Sequence, residues 1–200
     1  MKKMESNLVN MVMVLCVIAV AAALSLAIVN AITSTQIAKI EKDNLEKGIK
    51  EVLGANPEDS LDVEEIHDST STFVLYKTEI GIAVKTQSNG FGGPIEVLVG
   101  FAPDSTICGY KILKHSETPG LGAKAGEWFQ RGNKGDIIGK NPANTSMTVS
   151  KDGGDIDAIT ASTITSRAFL KAVMSAFDRI YGSTHETSDA STQEKKGGKQ

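Results

Sequence analysis

The chain's 200 residues allow one ordinary domain with appendages and enough length to bury a core. A formal net charge of −3, with only short charge blocks, offers no basic surface for nucleic acid and no extended charged tail. Of the 2 cysteines, Cys16 sits in an apolar run and Cys108 stands alone in a strand-like segment, so no disulfide framework follows and the redox compartment stays open.

Taken in chain order, residues 1–7 bring Lys2 and Lys3 ahead of the uncharged run Leu8–Ile32. That run exceeds the about 20 apolar residues a helix needs to cross a bilayer, so a transmembrane anchor is expected over 8–32. A cleaved signal peptide competes, because Val29-Asn30-Ala31 loosely resembles a small-residue cleavage site. Its apolar region would span only about 7–15 residues, however, and this one is longer. Cys16 lacks the small residue that should precede a lipidated cysteine, which argues against a lipoprotein. The next basic residue, Lys39, comes only after Thr33-Ser34-Thr35-Gln36. The positive-inside tendency then leaves residues 1–7 in the cytoplasm and everything after Ile32 on the periplasmic or external side of the inner membrane.

Over 33–57 the pattern is amphipathic, with Ile37, Ile40, Leu45, Ile49 and Val52 at helical spacing. This helix either continues out of the membrane as a stalk or packs on the domain beyond it. Gly54 and Asn56-Pro57 should end it. A domain over 58–182 then begins near Leu61. Strands are predicted at Thr72–Lys77, Glu79–Lys85, Ile95–Phe101, Thr106–Lys114, Met147–Ser150 and Ile156–Ile159, with helices near 123–131 and 166–181. The fold class is α+β, a mostly antiparallel sheet flanked by helices. Phe169, Val173, Phe177 and Ile180 give the closing helix its core face. The polar tail 183–200 lacks apolar periodicity and is expected to be disordered.

Three stretches could carry chemistry. Gly90-Phe91-Gly92-Gly93-Pro94 lets backbone approach a ligand closely, or simply makes a hairpin turn. No Gly-Lys-Ser/Thr follows, so it is not a phosphate-binding P-loop. His115-Ser116-Glu117-Thr118-Pro119-Gly120-Leu121-Gly122 follows a strand and joins a turn to polar groups able to hydrogen-bond a planar heteroaromatic ring. His115 and Glu117 find no convincing further ligand in His67 or His185, so no metal site is expected. Cys108 and Ser116 show no nucleophile–base–orienter pattern, and no catalytic residue is assigned. Trp128 and Phe129 lie on a short amphipathic segment, where packing comes first and lining a ring pocket second. The third stretch runs from Asp157 to Ser166, with hydroxyls at Thr160, Ser162, Thr163, Thr165 and Ser166. Alone it reads as a helix N-terminus rich in capping groups. It also displays a hydroxyl beside backbone N–H groups that favour an anion.

In this order, behind an anchor, these motifs resemble the FMN-binding G subunits of the Rnf ion-translocating electron transport complexes. More distantly they resemble the C subunits of the sodium-translocating NADH:quinone reductases. The likeness runs from the anchor to about Gly182 and includes Gly-Phe-Gly-Gly-Pro-Ile, Val-Leu-Val-Gly, His-Ser-Glu-Thr-Pro-Gly-Leu-Gly and the Asp-x-x-Thr-x-x-Thr flavinylation signal. It implies that a flavin transferase takes FMN from FAD and joins its phosphate to Thr163. Asp157 matches the acid of the signal and Thr160 its first hydroxyl. The family's Gly-Ala pair is Ala161-Ser162 here; if that glycine serves a positive φ, alanine costs about 1 kcal/mol. Ser162 then becomes a second candidate acceptor. No His or Lys adjoins Thr163 to activate it, so an external transferase is needed. Arg167 lies one turn further on, either compensating the phosphate charge or simply solvated on the helix surface. By analogy with the family, Glu117, Thr118, Gly120, Leu121 and Trp128 form the ring pocket.

The resemblance further implies an electron-relay subunit of an ion-translocating oxidoreductase, with no independent turnover. Its partners would be other integral membrane subunits, and the complex would couple ferredoxin and NAD to sodium or proton movement. The compact domain favours the Rnf assignment over the quinone reductase one. Two other classes compete: a freestanding membrane-tethered flavoprotein, and a non-redox anchored binding domain whose hydroxyl run is merely a cap.

Overall fold

The computed structural model describes residues 8–56, 62–67 and 73–182. The expectations for residues 1–7, for Pro57 and Leu61, and for the tail 183–200 lie outside them. Helix α1 (Leu8–Leu53) is long and apolar enough to cross a membrane, and alone in that among the described residues. The chain divides into two compact units between Asn44 and Leu45. In the first, Leu15, Leu24 and Ile32 are exposed, as lipid-facing side chains would be.

The second unit takes the last turns of α1 with it. Gly54, at φ 71°, ends the helix. The Gly54 N–H donates to the Glu51 carbonyl at 3.2 Å and the Ala55 N–H to that of Lys50 at 2.9 Å, the pairing of a Schellman cap. The sheet is an antiparallel meander of β1 (Glu64–His67), β2 (Val74–Lys77), β3 (Ile82–Asn89), β4 (Pro94–Phe101) and β5 (Ile107–Lys114), in spatial order β1-β2-β3-β4-β5. Both faces of β4 are covered, so its alternation sorts two cores. Ile95, Val97, Val99 and Phe101 join Phe169, Leu170 and Val173 of helix α3 (Thr163–Phe177). Leu98 turns the other way, to Ile49, Val52, Leu53, Tyr76 and Ala83.

The α1 end lies directly against the sheet. Gly100 and Gly109 face each other across β4 and β5. A Cβ on Gly100 would overlap the Val52 carbonyl, and one on Gly109 would stand 3.0 Å from it. Only glycines let backbone meet backbone so closely.

The α+β reading and most elements hold, with four differences. Met147–Ser150 and Ile156–Ile159 are not strands. They meet only in an isolated parallel bridge, Val149 to Ile156, because the chain turns back at once through a 3-10 turn (Ser150–Asp152) and Gly153 at φ 86°. The helix expected near 123–131 is a 3-10 turn (Gly122–Lys124) and a single α-helical turn, α2 (Ala125–Trp128). The Tyr110 hydroxyl stops it, donating to the Ala125 carbonyl at 2.8 Å and accepting the Phe129 N–H at 3.2 Å. One phenol thus takes both ends of the bond that would continue the helix. β1, four residues long and half acidic, carries no strand pattern in the sequence. β3 starts at Ile82 rather than Glu79 because Thr78 to Gly81 closes the hairpin, and it then runs on to Asn89.

Candidate functional site

The three motifs meet at Glu117. Past the end of β5 the backbone turns so that the Glu117 N–H donates to His115 Nδ1 at 3.2 Å, and the carboxylate points inward, 6% exposed. Its Oε1 accepts the Gly92 N–H at 3.0 Å, and its Oε2 accepts the Thr165 hydroxyl at 2.6 Å. One side chain therefore joins the β3–β4 turn, the segment after β5 and the first turn of α3. A Cβ on Gly90 would overlap Oε1, and one on Gly122 would crowd Oε2 and the Thr165 hydroxyl. These two glycines leave the space that the carboxylate fills. Beside it, Thr118, Gly120 and Leu121 are exposed. The Thr118 carbonyl accepts the N–H groups of Leu121 and Ala123, both at 3.2 Å, which shapes the segment into a tight loop.

The entry to α3 has its own bracing. Ala161 takes φ 61°, one of two described non-glycine residues with a positive φ. The Ser162 N–H donates to the Ile159 carbonyl at 3.0 Å. The Ser166 hydroxyl donates to the Ser162 carbonyl and accepts the Ile159 N–H, each at 3.0 Å. Ser162 occupies the N-cap position, buried, with φ −137° and ψ 43°, and its side chain makes no cap bond. The hydroxyl run is therefore not a cap in the usual sense. Thr163 follows as the first helical residue, half-buried, where the first N–H groups of α3 have no side-chain acceptor from the N-cap.

Asp157 and Thr160 are exposed just upstream. The Asp157 carboxylate accepts the Ser150 hydroxyl at 3.1 Å, and its carbonyl accepts the Trp128 indole N–H at 2.8 Å. Trp128, half-buried, thus ties α2 to the loop that leads into α3. Arg167 makes a two-pronged ion pair with Asp152 at 2.7 and 2.8 Å on the exposed side of α3. The Arg167 hydrogen bonds hold the Asp152 carboxyl below the usual range.

Three large apolar side chains stand exposed next to groups around Glu117: Phe91 beside Gly92, Leu121 beside Gly122, and Ile164 beside Thr165. A helix N-terminus with no side-chain cap, a hydroxyl on its first residue and nearby exposed apolar side chains suit a group with an anionic phosphate and a flat ring. That matches a flavin mononucleotide. No three His, Cys, Asp or Glu side chains gather among the described residues.

The roles of Thr165 and Ser166 escape sequence reasoning, although a signal existed. Thr165 lies four residues before Phe169, on the core face of α3, and a polar group there requires a buried partner.

The family model described as FMN-binding domain matches residues 90–178. The G subunit of the ion-translocating oxidoreductase complex of Methanosarcina acetivorans is 32% identical over 186 residues, covering 88% of this chain and 96% of its own length. The protein of the same name from Aliivibrio fischeri is 30% identical over 181 residues, covering 82% and 86%. The G subunit of the proton-translocating ferredoxin:NAD(+) oxidoreductase complex of Clostridium ljungdahlii is 38% identical over 104 residues, 50% of this chain and 54% of that one.

Proposed function

Because the chain belongs to the family of G subunits of ion-translocating oxidoreductase complexes, we propose that it is a membrane-anchored electron relay whose FMN is bound covalently to Thr163. The observation that carries the linkage is the place of Thr163, first in a helix whose N-terminus has no side-chain cap. In the maturation step the Thr163 hydroxyl oxygen attacks the FMN phosphorus of FAD held by a flavin transferase. An oxygen–phosphorus bond forms, the pyrophosphate bond breaks and AMP leaves. The hydroxyl proton passes to a base on the transferase, since no His or Lys of this chain adjoins Thr163 in sequence.

Once joined, the phosphodiester keeps a negative charge, which the α3 N–H groups and helix dipole stabilise by about 0.3–1 kcal/mol. The flavin supplies one- and two-electron exchange, and the protein supplies placement and field. Thr118, Gly120, Leu121 and Trp128 are assigned to the ring, with Glu117 beneath them. Asp157 and Thr160 present the loop to the transferase, and Ser162 lies behind it. No group in the chain is assigned to substrate turnover.

α1 is the membrane anchor, with residues 1–7 in the cytoplasm and the FMN domain on the periplasmic side of the inner membrane. The partners are the other integral subunits of an Rnf-type complex linking ferredoxin and NAD to ion movement. The name of the Clostridium ljungdahlii relative supports that pairing.

Intact-mass analysis of the chain made alongside a flavin transferase tests the reading. An added FMN is expected in the wild type and absent in Thr163→Ala. An unmodified wild type sinks the covalent assignment, and FMN persisting in the variant moves it to Ser162 or Thr165.

A further inference from the structure

We infer that Glu117 is a positioning residue, a buried brace that holds the flavin-bearing turn of α3 against the β3–β4 glycine turn. This rests on the assignment of FMN to Thr163. Both carboxylate oxygens are already engaged within the protein, Oε1 by Gly92 and Oε2 by Thr165, and the side chain is almost closed to solvent. A group so placed acts through the segments it joins. Thr165 lies two residues beyond Thr163 in the same helical turn, so its bond to Glu117 sets the angle at which the acceptor hydroxyl leaves the domain. Gly92 carries the neighbouring Phe91, exposed at the tip of the β3–β4 turn, so the second bond sets where that apolar ring stands.

The close fit of Gly90 and Gly122 around the carboxylate shows that the space is matched to this one side chain. A shorter residue would leave the Gly92 N–H and the Thr165 hydroxyl without their acceptor, and both segments would loosen together.

The brace makes a chemical distinction that a ring contact or a transferase-recognition charge would not. Glutamine keeps the shape: its carbonyl oxygen can accept from Gly92, while its amide donates to the Thr165 hydroxyl, which is able to accept as well as donate. A brace therefore survives Glu117→Gln, whereas a function of the negative charge does not. Alanine removes the brace entirely, and Thr165→Val removes half of it.

The test uses the full chain in detergent, with purified flavin transferase and FAD. Two quantities are read: the initial rate of FMN incorporation by intact mass, and amide hydrogen exchange of residues 90–93 in the unflavinylated chain. Glu117→Gln and Thr165→Ser should stay within about twofold of wild type in both. Glu117→Ala and Thr165→Val should incorporate FMN at least tenfold more slowly and exchange faster at Gly92. The double variant should be no worse than Glu117→Ala, because the two residues act as one unit. Circular dichroism and melting screen out variants that fail to fold, and Thr165→Val with its Thr165→Ser rescue keeps the test alive if Glu117→Ala is lost. Equal defects in Glu117→Gln and Glu117→Ala overturn the brace in favour of a charge role. Wild-type rates and exchange in Glu117→Ala also overturn it. A wild type that accepts no FMN sinks the covalent reading alone, and the exchange series then still decides the brace.

Discussion

At residue 161 the backbone adopts the left-handed conformation with an alanine side chain, φ 61°. That conformation costs an L-residue about 1–2 kcal/mol through the clash of Cβ with the following carbonyl. Glycine escapes the clash but loses about 0.5–1 kcal/mol more conformational entropy on folding. Ala161→Gly should therefore raise stability by up to about 1.5 kcal/mol, read as a higher urea midpoint at unchanged slope. A lower midpoint would mean that the turn does not need the left-handed conformation. The Gly-Ala pair that the resemblance leads one to expect here points to the same strain in the sequence, as a departure from pattern. Ser162 is harder to read. Its type and position suggest a cap, yet its side chain makes no cap bond while Ser166, four residues on, closes the turn. Composition gives the number of hydroxyls in a stretch, and only geometry tells which of them holds the backbone.

Among the elements, the end of α1 and the glycine pair beneath it form one unit. The sequence shows Ile49 and Val52 at helical spacing, which fits a free stalk and a packed helix equally well. What decides between them is Gly100 and Gly109, far along the chain and informative only once β4 and β5 are aligned so that the two face each other. Gly100→Val should push the α1 end off the sheet, because its side chain would have to occupy the space of the Val52 carbonyl. Overpacking of this kind costs about 1–3 kcal/mol, visible as a lowered melting temperature, and an unchanged one would contradict the close approach. α2 illustrates the opposite limit. Its amphipathic spacing is plain in the sequence and its length is not, since the Tyr110 hydroxyl that ends it comes from a strand. Burial also pushes that phenol's titration well above its ordinary value, so it keeps its proton and its donor role through the physiological range.

For the molecule as a whole, the chain divides into compact units between Asn44 and Leu45, inside the amphipathic stretch 33–57. Helical periodicity runs unbroken through Leu45, so the sequence alone has no mark there. A chain starting at Leu45 should be soluble and unfold cooperatively. One starting at residue 58 loses Ile49, Val52 and Leu53, each contributing about 1.5–3 kcal/mol by burial, a sum comparable to the about 5–15 kcal/mol that holds a domain together. That shorter chain should aggregate or show no cooperative transition; full stability in urea would show that the α1 end is dispensable. The meander and its α3 cover were legible because strands that follow one another through short turns pair with their neighbours. The site was legible as three motifs, but not as one place, because its join is a carboxylate whose partners lie 25 and 48 residues away. Those separations also set an order of events. Long loops must close before such bonds can form, so we expect the Glu117 links to arise late in folding, after the sheet has paired and α3 has docked. On the assignment of FMN to Thr163 proposed above, cofactor loading would then be a late step, because the turn that carries Thr163 is shaped only once its distant partners have met.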